Sequence, residues 1–250
     1  NISYTFTNIS CYGGIDGSID LSISGGTGPY SYLWSNNDTT QDITNLSFGT
    51  YSYTITDSLG CQFTDTASIN QPTPIDVIPQ TSDVSCANGN DGSAILNITG
   101  GTPPYIENWG TSNPLNLTAG GHTYIVNDDN GCNYTGSINI TEPAPILVSY
   151  ITTNALCNGV NDGTAILNIS GGVSPYNEDW GTNNPLALSA GTHVFIITDT
   201  NGCVLTDSVL ITQPNQMNVI VDTFRVSCSG LSDGSALLNI SGGTAPYIEN

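Results

Sequence analysis

Asp91-Gly92-Ser93-Ala94-Ile95-Leu96-Asn97-Ile98-Thr99-Gly100-Gly101-Thr102-Pro103-Pro104-Tyr105 is the stretch that decides the fold. Ala94, Leu96 and Ile98 recur at every second position, the period of a half-buried strand. The glycine pair and the prolines then break that strand and turn the chain. The same signature runs from Asp16-Gly17 to Pro29-Tyr30, from Asp162-Gly163 to Pro175-Tyr176, and from Asp233-Gly234 to Pro246-Tyr247. Its offsets are 75, 71 and 71 residues. A fixed period with no helical spacing inside it predicts a tandem array of small β modules.

Working outward from the signature, each repeat places one tryptophan on the short strand after the Pro-Tyr turn: Trp34, Trp109 and Trp180. An immunoglobulin-like sandwich puts its central core residue there. A second alternating run follows, through Tyr51, Tyr53 and Ile55 in the first repeat. It leads to Asp57-Ser58-Leu59-Gly60, Asp128-Asp129-Asn130-Gly131 and Asp199-Thr200-Asn201-Gly202, which read as hairpin turns. A closing strand then runs to Gln71-Pro72, Glu142-Pro143 or Gln213-Pro214. This predicts an all-β chain, a tandem array of immunoglobulin-like antiparallel β-sandwich modules of about seven strands each. The repeats are read as 1–72, 73–143 and 144–214, with a partial fourth at 215–250. The fourth stops where earlier repeats go on to their tryptophan, so the chain is expected to be a segment of a longer one.

Composition narrows the function. One arginine, Arg225, and no lysine face 21 acidic residues, for a net charge of −20. Phosphate binding needs clustered cations, so nucleic acid is excluded as a partner. No apolar run approaches the ~20 residues that span a bilayer, so no membrane insertion is expected. Nucleophile elbows, phosphate loops, dinucleotide fingerprints and zinc-protease motifs are all missing, and the chain is read as having no catalytic residues.

Seven cysteines occupy two fixed positions in the repeat: Cys11, Cys86, Cys157 and Cys228 before the first signature strand, and Cys61, Cys132 and Cys203 after the hairpin. They predict disulfides and an oxidising compartment. The favoured pairing lies within repeats, as Cys11–Cys61, Cys86–Cys132 and Cys157–Cys203, with Cys228 left over. A rival pairing runs between repeats, as Cys11–Cys132 and Cys86–Cys203. It arises because the two positions fall at opposite ends of a strict immunoglobulin topology, beyond the roughly 7 Å that a disulfide spans.

The first repeat resembles the SprB-type repeat throughout: Cys11 to Ser18, Gly25 to Tyr30, Trp34, Gly49 to Tyr51, Asp57 to Cys61, and Gln71-Pro72. The second and third are looser, with Gly120-Gly121-His122 and Gly191-Thr192-His193 in place of Gly-Thr-Tyr. The resemblance implies a large Bacteroidota surface protein exported by the type IX system, related to a mobile adhesin of gliding motility. It also implies O-glycosylation at Thr39, Ser58, Thr66 and Ser208.

Other residues carry weaker signals. The acidic turns at Asp91, Asp162 and Asp128-Asp129 offer oxygen ligands for calcium, though Asn-Asp-Gly also simply makes turns. No other cofactor is expected. His122 and His193 stand where the first repeat has Tyr51, the tyrosine-corner position, whose polar tip bonds back to the preceding turn. Trp34, Trp109 and Trp180 are assigned to cores; Tyr30, Tyr105 and Tyr176, at the turn, are read first as packing residues and, of the aromatics, as the better sugar-stacking candidates. Ile95, Ile166 and Leu237 fall on the outer face of their strand and call for a cover.

The function expected is a structural and adhesive segment of an extracellular fibre or surface adhesin. A carbohydrate-binding array or a laterally associating filament stand as alternatives. Its partners would be further copies of the repeat, surface polysaccharide or neighbouring filament chains. The proline-led linkers and the constant 25-residue spacing between one repeat's last cysteine and the next one's first predict docked, repeated joints.

Overall fold

The structure is a computed structural model that describes residues 1–249. It has no helix among them. The chain forms two compact units: Asn1–Val84 with Asn90–Thr141, and Ser85–Gly89 with the chain from Glu142 onward.

In the first unit, the opening repeat carries β1 (Ile2–Thr7), β2 (Gly17–Ile23), β3 (Ser31–Trp34), β4 (Ile43–Leu46), β5 (Gly49–Thr56) and β6 (Gln62–Ile69). They pair as two antiparallel sheets, β1-β2-β4 and β3-β5-β6. Alternation in each strand sends one face inward, and both sheets feed one core. Ile19 and Leu21 come from β2, Ile43 and Leu46 from β4, Tyr53 and Ile55 from β5, and Trp34 from β3. The arrangement is the three-on-three form of an immunoglobulin sandwich, lacking the strand that would lie beyond β4.

The next repeat carries β7 (Asp76–Ser82), β8 (Ser93–Thr99), β9 (Ile106–Asn108), β10 (Gly120–Asn127) and β11 (Asn133–Ile140). Here the counterpart of β4 shrinks to one bridge, Gly92 with Leu117. Pro114 supplies the reason: its carbonyl accepts from Ala94 N–H at 2.8 Å, but it has no N–H to return. The expectation of about seven strands is therefore corrected to six in the first repeat and five in the second.

The second unit repeats the five-stranded form with β12 (Leu147–Thr153), β13 (Thr164–Ser170), β14 (Asn177–Asp179), β15 (Gly191–Thr198) and β16 (Val204–Ile211). Gly163 bridges Leu188, and Pro185 O accepts from Ala165 N–H at 2.8 Å. The last pair, β17 (Asn218–Phe224) and β18 (Ser235–Ser241), forms a two-stranded ribbon whose side chains stay open to solvent.

Two local features keep the repeats alike. The hydroxyl of Tyr51 donates to Ser47 O at 2.9 Å, while His122 Nε2 lies 2.9 Å from Thr118 O and His193 Nε2 2.8 Å from Ser189 O. All three tips reach the carbonyl four residues back, so both histidines take the corner role. The Gly-Gly pair is required by close approach. A Cβ on Gly100, already at φ +73°, would sit 1.9 Å from Pro74 O, and one on Gly101 would meet Asp128 Oδ2 at 2.8 Å.

Candidate functional site

The feature that distinguishes this fold is a knuckle and socket built from the cysteine positions. The knuckle is Ser10 to Gly17. Gly14 N–H closes a turn on Cys11 O at 2.9 Å, helped by Gly13 at φ +74°. The Asp16 carboxylate accepts from Ser10 N–H at 3.2 Å and from the Ser10 hydroxyl. Gly13 N–H reaches across to Gln71 Oε1 at 2.9 Å, tying the knuckle to the residue before the linker proline. Gly159 N–H makes the same bond to Gln213 at 2.8 Å, and Asn88 N–H makes it to Glu142.

The socket is the hairpin between β10 and β11. Asp128, 4% exposed, accepts from Cys132 N–H and from Thr102 N–H, both at 2.9 Å. One carboxylate thus fixes the cysteine against the Gly-Gly turn. Asn130 then donates its side-chain amide to Ser10 O at 3.0 Å, and Cys132 Sγ lies 3.3 Å from the same oxygen. The result is a disulfide between Cys11 and Cys132, with Cα atoms 5.5 Å apart.

The second unit holds the same arrangement. Asp199 accepts from Cys203 N–H and Val173 N–H at 2.9 Å. Asn201 donates to Ser85 O at 3.0 Å, and Cys86 bonds Cys203 at a Cα separation of 5.6 Å. The favoured within-repeat pairs, Cys11–Cys61, Cys86–Cys132 and Cys157–Cys203, are thereby corrected. The knuckle precedes β2, β8 or β13, at the opposite end of the sandwich from its own repeat's hairpin, so only the next repeat's hairpin comes within reach. Cys61, Cys157 and Cys228, also assigned to disulfides, are exposed thiols.

The SprB repeat matches the chain at residues 3–39, 78–106, 149–184 and 225–247, half of its length. This chain belongs to the SprB repeat family. No curated protein matches it. Each matched segment contains or adjoins one knuckle and the signature strand after it.

The structure places the remaining candidate residues of these SprB repeats plainly. Trp34, Trp109 and Trp180 are 2%, 7% and 7% exposed, each with an aromatic ring about 5 Å away, centre to centre. Tyr30, Tyr105 and Tyr176 are half-buried against their cores and turn their hydroxyls back onto Gly25 O, Gly100 O and Gly171 O. Asp128 is engaged in the socket. Asp162 accepts from Leu156 N–H at 3.1 Å, Asp129 is exposed, and Asp91 is exposed at the base of its knuckle. Among the described residues, no three His, Cys, Asp or Glu side chains gather to hold a metal. Thr39, Ser58 and Thr66 are exposed and Ser208 half-buried; the Ser58 hydroxyl donates to Thr27 O at 2.8 Å. Ile95 and Ile166 are uncovered, 61% and 56% exposed.

Sequence reasoning missed the roles of Asn130, Asn201, Gln71 and Gln213. Asn-Gly was legible as turn chemistry, and Gln-Pro as a strand end. The matching Asn at two hairpins and Gln at two linkers was the signal for a joint.

Four carboxylates of these turns, Asp16, Asp57, Asp199 and Asp233, are held below the usual carboxylate range. The Ser10 hydroxyl, then its N–H, lowers the pKa of Asp16, and Ser227 does the same for Asp233. The Cys61 N–H lowers that of Asp57. At Asp199 burial pulls upward, but the N–H groups of Val173, Cys203 and Asn201 outweigh it. A carboxylate held below its unfolded value, about 3.9, stabilises the fold above that pH. The contribution disappears as pH falls through the lowered folded values. Thermal unfolding should therefore vary little between pH 5 and 7 on account of these groups and move to lower temperature below about pH 4. Asp16→Asn should reduce that acid dependence, measured by circular dichroism melts across the range.

Proposed function

We propose that this chain is a tension-carrying spacer of a cell-surface adhesin, in which the first repeat is covalently latched to the second and the second to the third. The observation that carries this reading is the overlap of the two disulfide loops. Cys11–Cys132 and Cys86–Cys203 share residues 86–132. A covalent line can thus pass from residue 11 to 132, back through 86–132, and on through 203. The stretches 12–85 and 133–202 are left outside it. Tension applied to the ends is borne by the bridged line and not by those stretches. Disulfides of this kind persist in oxidising surroundings, which supports an extracellular or cell-surface setting.

The family resemblance supports the finer reading of a gliding adhesin exported by the type IX system. The carbohydrate-binding alternative has less support, since the turn tyrosines spend their hydroxyls on the loop and the tryptophans are buried. A glycan array probed with the oxidised chain tests the choice. The spacer reading expects no saturable binding. Saturable binding of a sugar, lost on substitution of Tyr105 or Tyr176, would make the chain a lectin-like array instead.

A further inference from the structure

The first repeat carries a cover over one strand edge that the third repeat lacks. Trp34 and Gly49 stand 15 positions apart, against 11 for Trp180 and Gly191. The longer connection lays Thr40, Gln41 and Asp42 along the edge of β2. Thr40 O accepts from the Trp34 indole N–H at 2.9 Å, the Gln41 side-chain amide donates to Leu21 O, and Asp42 Oδ1 accepts from Leu21 N–H at 3.0 Å. Three consecutive residues thus meet three polar groups, and Leu21 beneath them is 0% exposed.

The third repeat presents the same three groups without that cover. β13 pairs with β12 alone, and past the Gly163–Leu188 bridge its other edge carries no strand. Ala165 N–H points out over that edge, to Pro185 O at 2.8 Å. Leu167 lies two residues on, so its N–H and C=O point the same way. Neither has a hydrogen-bond partner among the described residues, and Leu167 is half-buried where Leu21 is sealed. The third group is the Trp180 indole. Trp180 is 7% exposed, and its Nε1 is the one buried side-chain nitrogen or oxygen among the described residues without a partner. Trp34 and Trp180 sit alike in their cores, 5.0 and 5.1 Å from the ring of the neighbouring strand, so the Trp180 N–H is aimed where Thr40 O lies in the first repeat. In the second repeat Glu107 Oε2 takes the equivalent N–H at 3.0 Å; Glu178, its counterpart, makes no such bond. A buried orphan donor costs free energy that an added acceptor recovers, and an unpaired strand edge is a template for an extended chain.

We propose that the Leu167 edge of the third repeat, with the Trp180 indole beside it, is a binding site for an extended peptide segment of a partner protein. The first repeat defines the chemistry of that segment. It offers a backbone carbonyl to the indole, then a side-chain amide to Leu167 O, then a side-chain oxygen to Leu167 N–H. Thr-Gln followed by Asp or Asn meets all three. The chain's own Thr40-Gln41-Asp42 is held on Trp34 and Leu21, so the segment comes from another molecule. With a net charge of −20 on this chain, asparagine at the last position avoids the repulsion that a carboxylate meets. The site is independent of the disulfide latches and adds a partner to the spacer.

The test uses the full 250-residue chain and the capped, fluorescently labelled peptide Thr-Thr-Gln-Asn-Ile, read by anisotropy and by nitrogen-15 NMR. The proposal expects saturable binding in which the Trp180 indole and Leu167 amide signals shift while those of Trp34 and Leu21 stay. Replacing the peptide's glutamine by leucine should weaken binding about fivefold, the effect of one hydrogen bond, and Trp180→Phe in the chain should do the same. The peptide variant leaves the protein untouched, so it decides the matter even where Trp180→Phe unfolds the repeat. No binding up to about millimolar peptide, binding indifferent to the glutamine, or shifts that spare the Trp180 indole would each overturn it. An indole signal moved by Glu178→Ala but not by the peptide would also overturn it, since Glu178 would then close the site as Glu107 does.

Discussion

Stretched from its two ends, the oxidised chain should stop lengthening at less than half the contour of the reduced chain. The interlocked loops set this limit. With Cys11–Cys132 and Cys86–Cys203 intact, the shortest covalent route uses only residues 1–11, 86–132 and 203–250. That is roughly 100 residues, or about 350 Å at ~3.5 Å each, against about 870 Å for the full chain. Breaking one bridge alone should give an intermediate limit, because either remaining bridge leaves a route of about 130 residues, or roughly 450 Å. Force spectroscopy on the oxidised chain, the reduced chain and Cys132→Ser reads all three values. An oxidised contour equal to the reduced one would mean that the bridges do not form between successive repeats. Each bridge also closes a long loop, with sequence separations of 121 and 117 residues. A loop of that length is worth about 4–5 kcal/mol to the folded state in the chain-entropy account. Reduction should therefore lower the melting temperature as well as lengthen the chain.

Trp34→Ala should remove most of the stability of the first repeat. Trp34 is 2% exposed, packs 5.0 Å from the Tyr53 ring centre, and donates its indole N–H to Thr40 O at 2.9 Å. Truncation leaves a cavity between the two sheets and strands that carbonyl, at a cost of about 3–5 kcal/mol. A repeat of ~70 residues holds roughly 4–10 kcal/mol in all. Urea titration should show an early transition for the variant, with Trp109 and Trp180 still reporting the later one. A cost under about 1 kcal/mol would mean the ring does not fill that core. Trp34→Phe should fall between the two, since it keeps most of the volume and loses the hydrogen bond.

Much of the fold was legible because it is local. Ala94, Leu96 and Ile98 alternate over a distance that one strand spans, and the pattern needs no information from elsewhere. The corner tip of Tyr51, His122 and His193 acts over four residues, so position alone gave their role. The strand count was less legible. Whether the segment around Pro114 forms a strand depends on a missing N–H facing β8, and a propensity read along the chain sees only the proline. The turn tyrosines pack half-buried against their cores, as a place beside the signature strand suggests, whereas the return of each hydroxyl to a carbonyl five residues earlier depends on the folded turn.

The cysteines divide most clearly between the two sources. The sequence by itself determined that the chain is a tandem β array, that its cysteines occupy two positions per repeat, and that disulfides join those positions. Both pairings obey that arithmetic. Only the tertiary structure decided between them. A sandwich holds its two cysteine positions at opposite ends, while Asp128 and Asn130, or Asp199 and Asn201, hold a hairpin against the knuckle that comes before it in the array. A disulfide obeys distance in space, and that distance is set by how one folded repeat meets another.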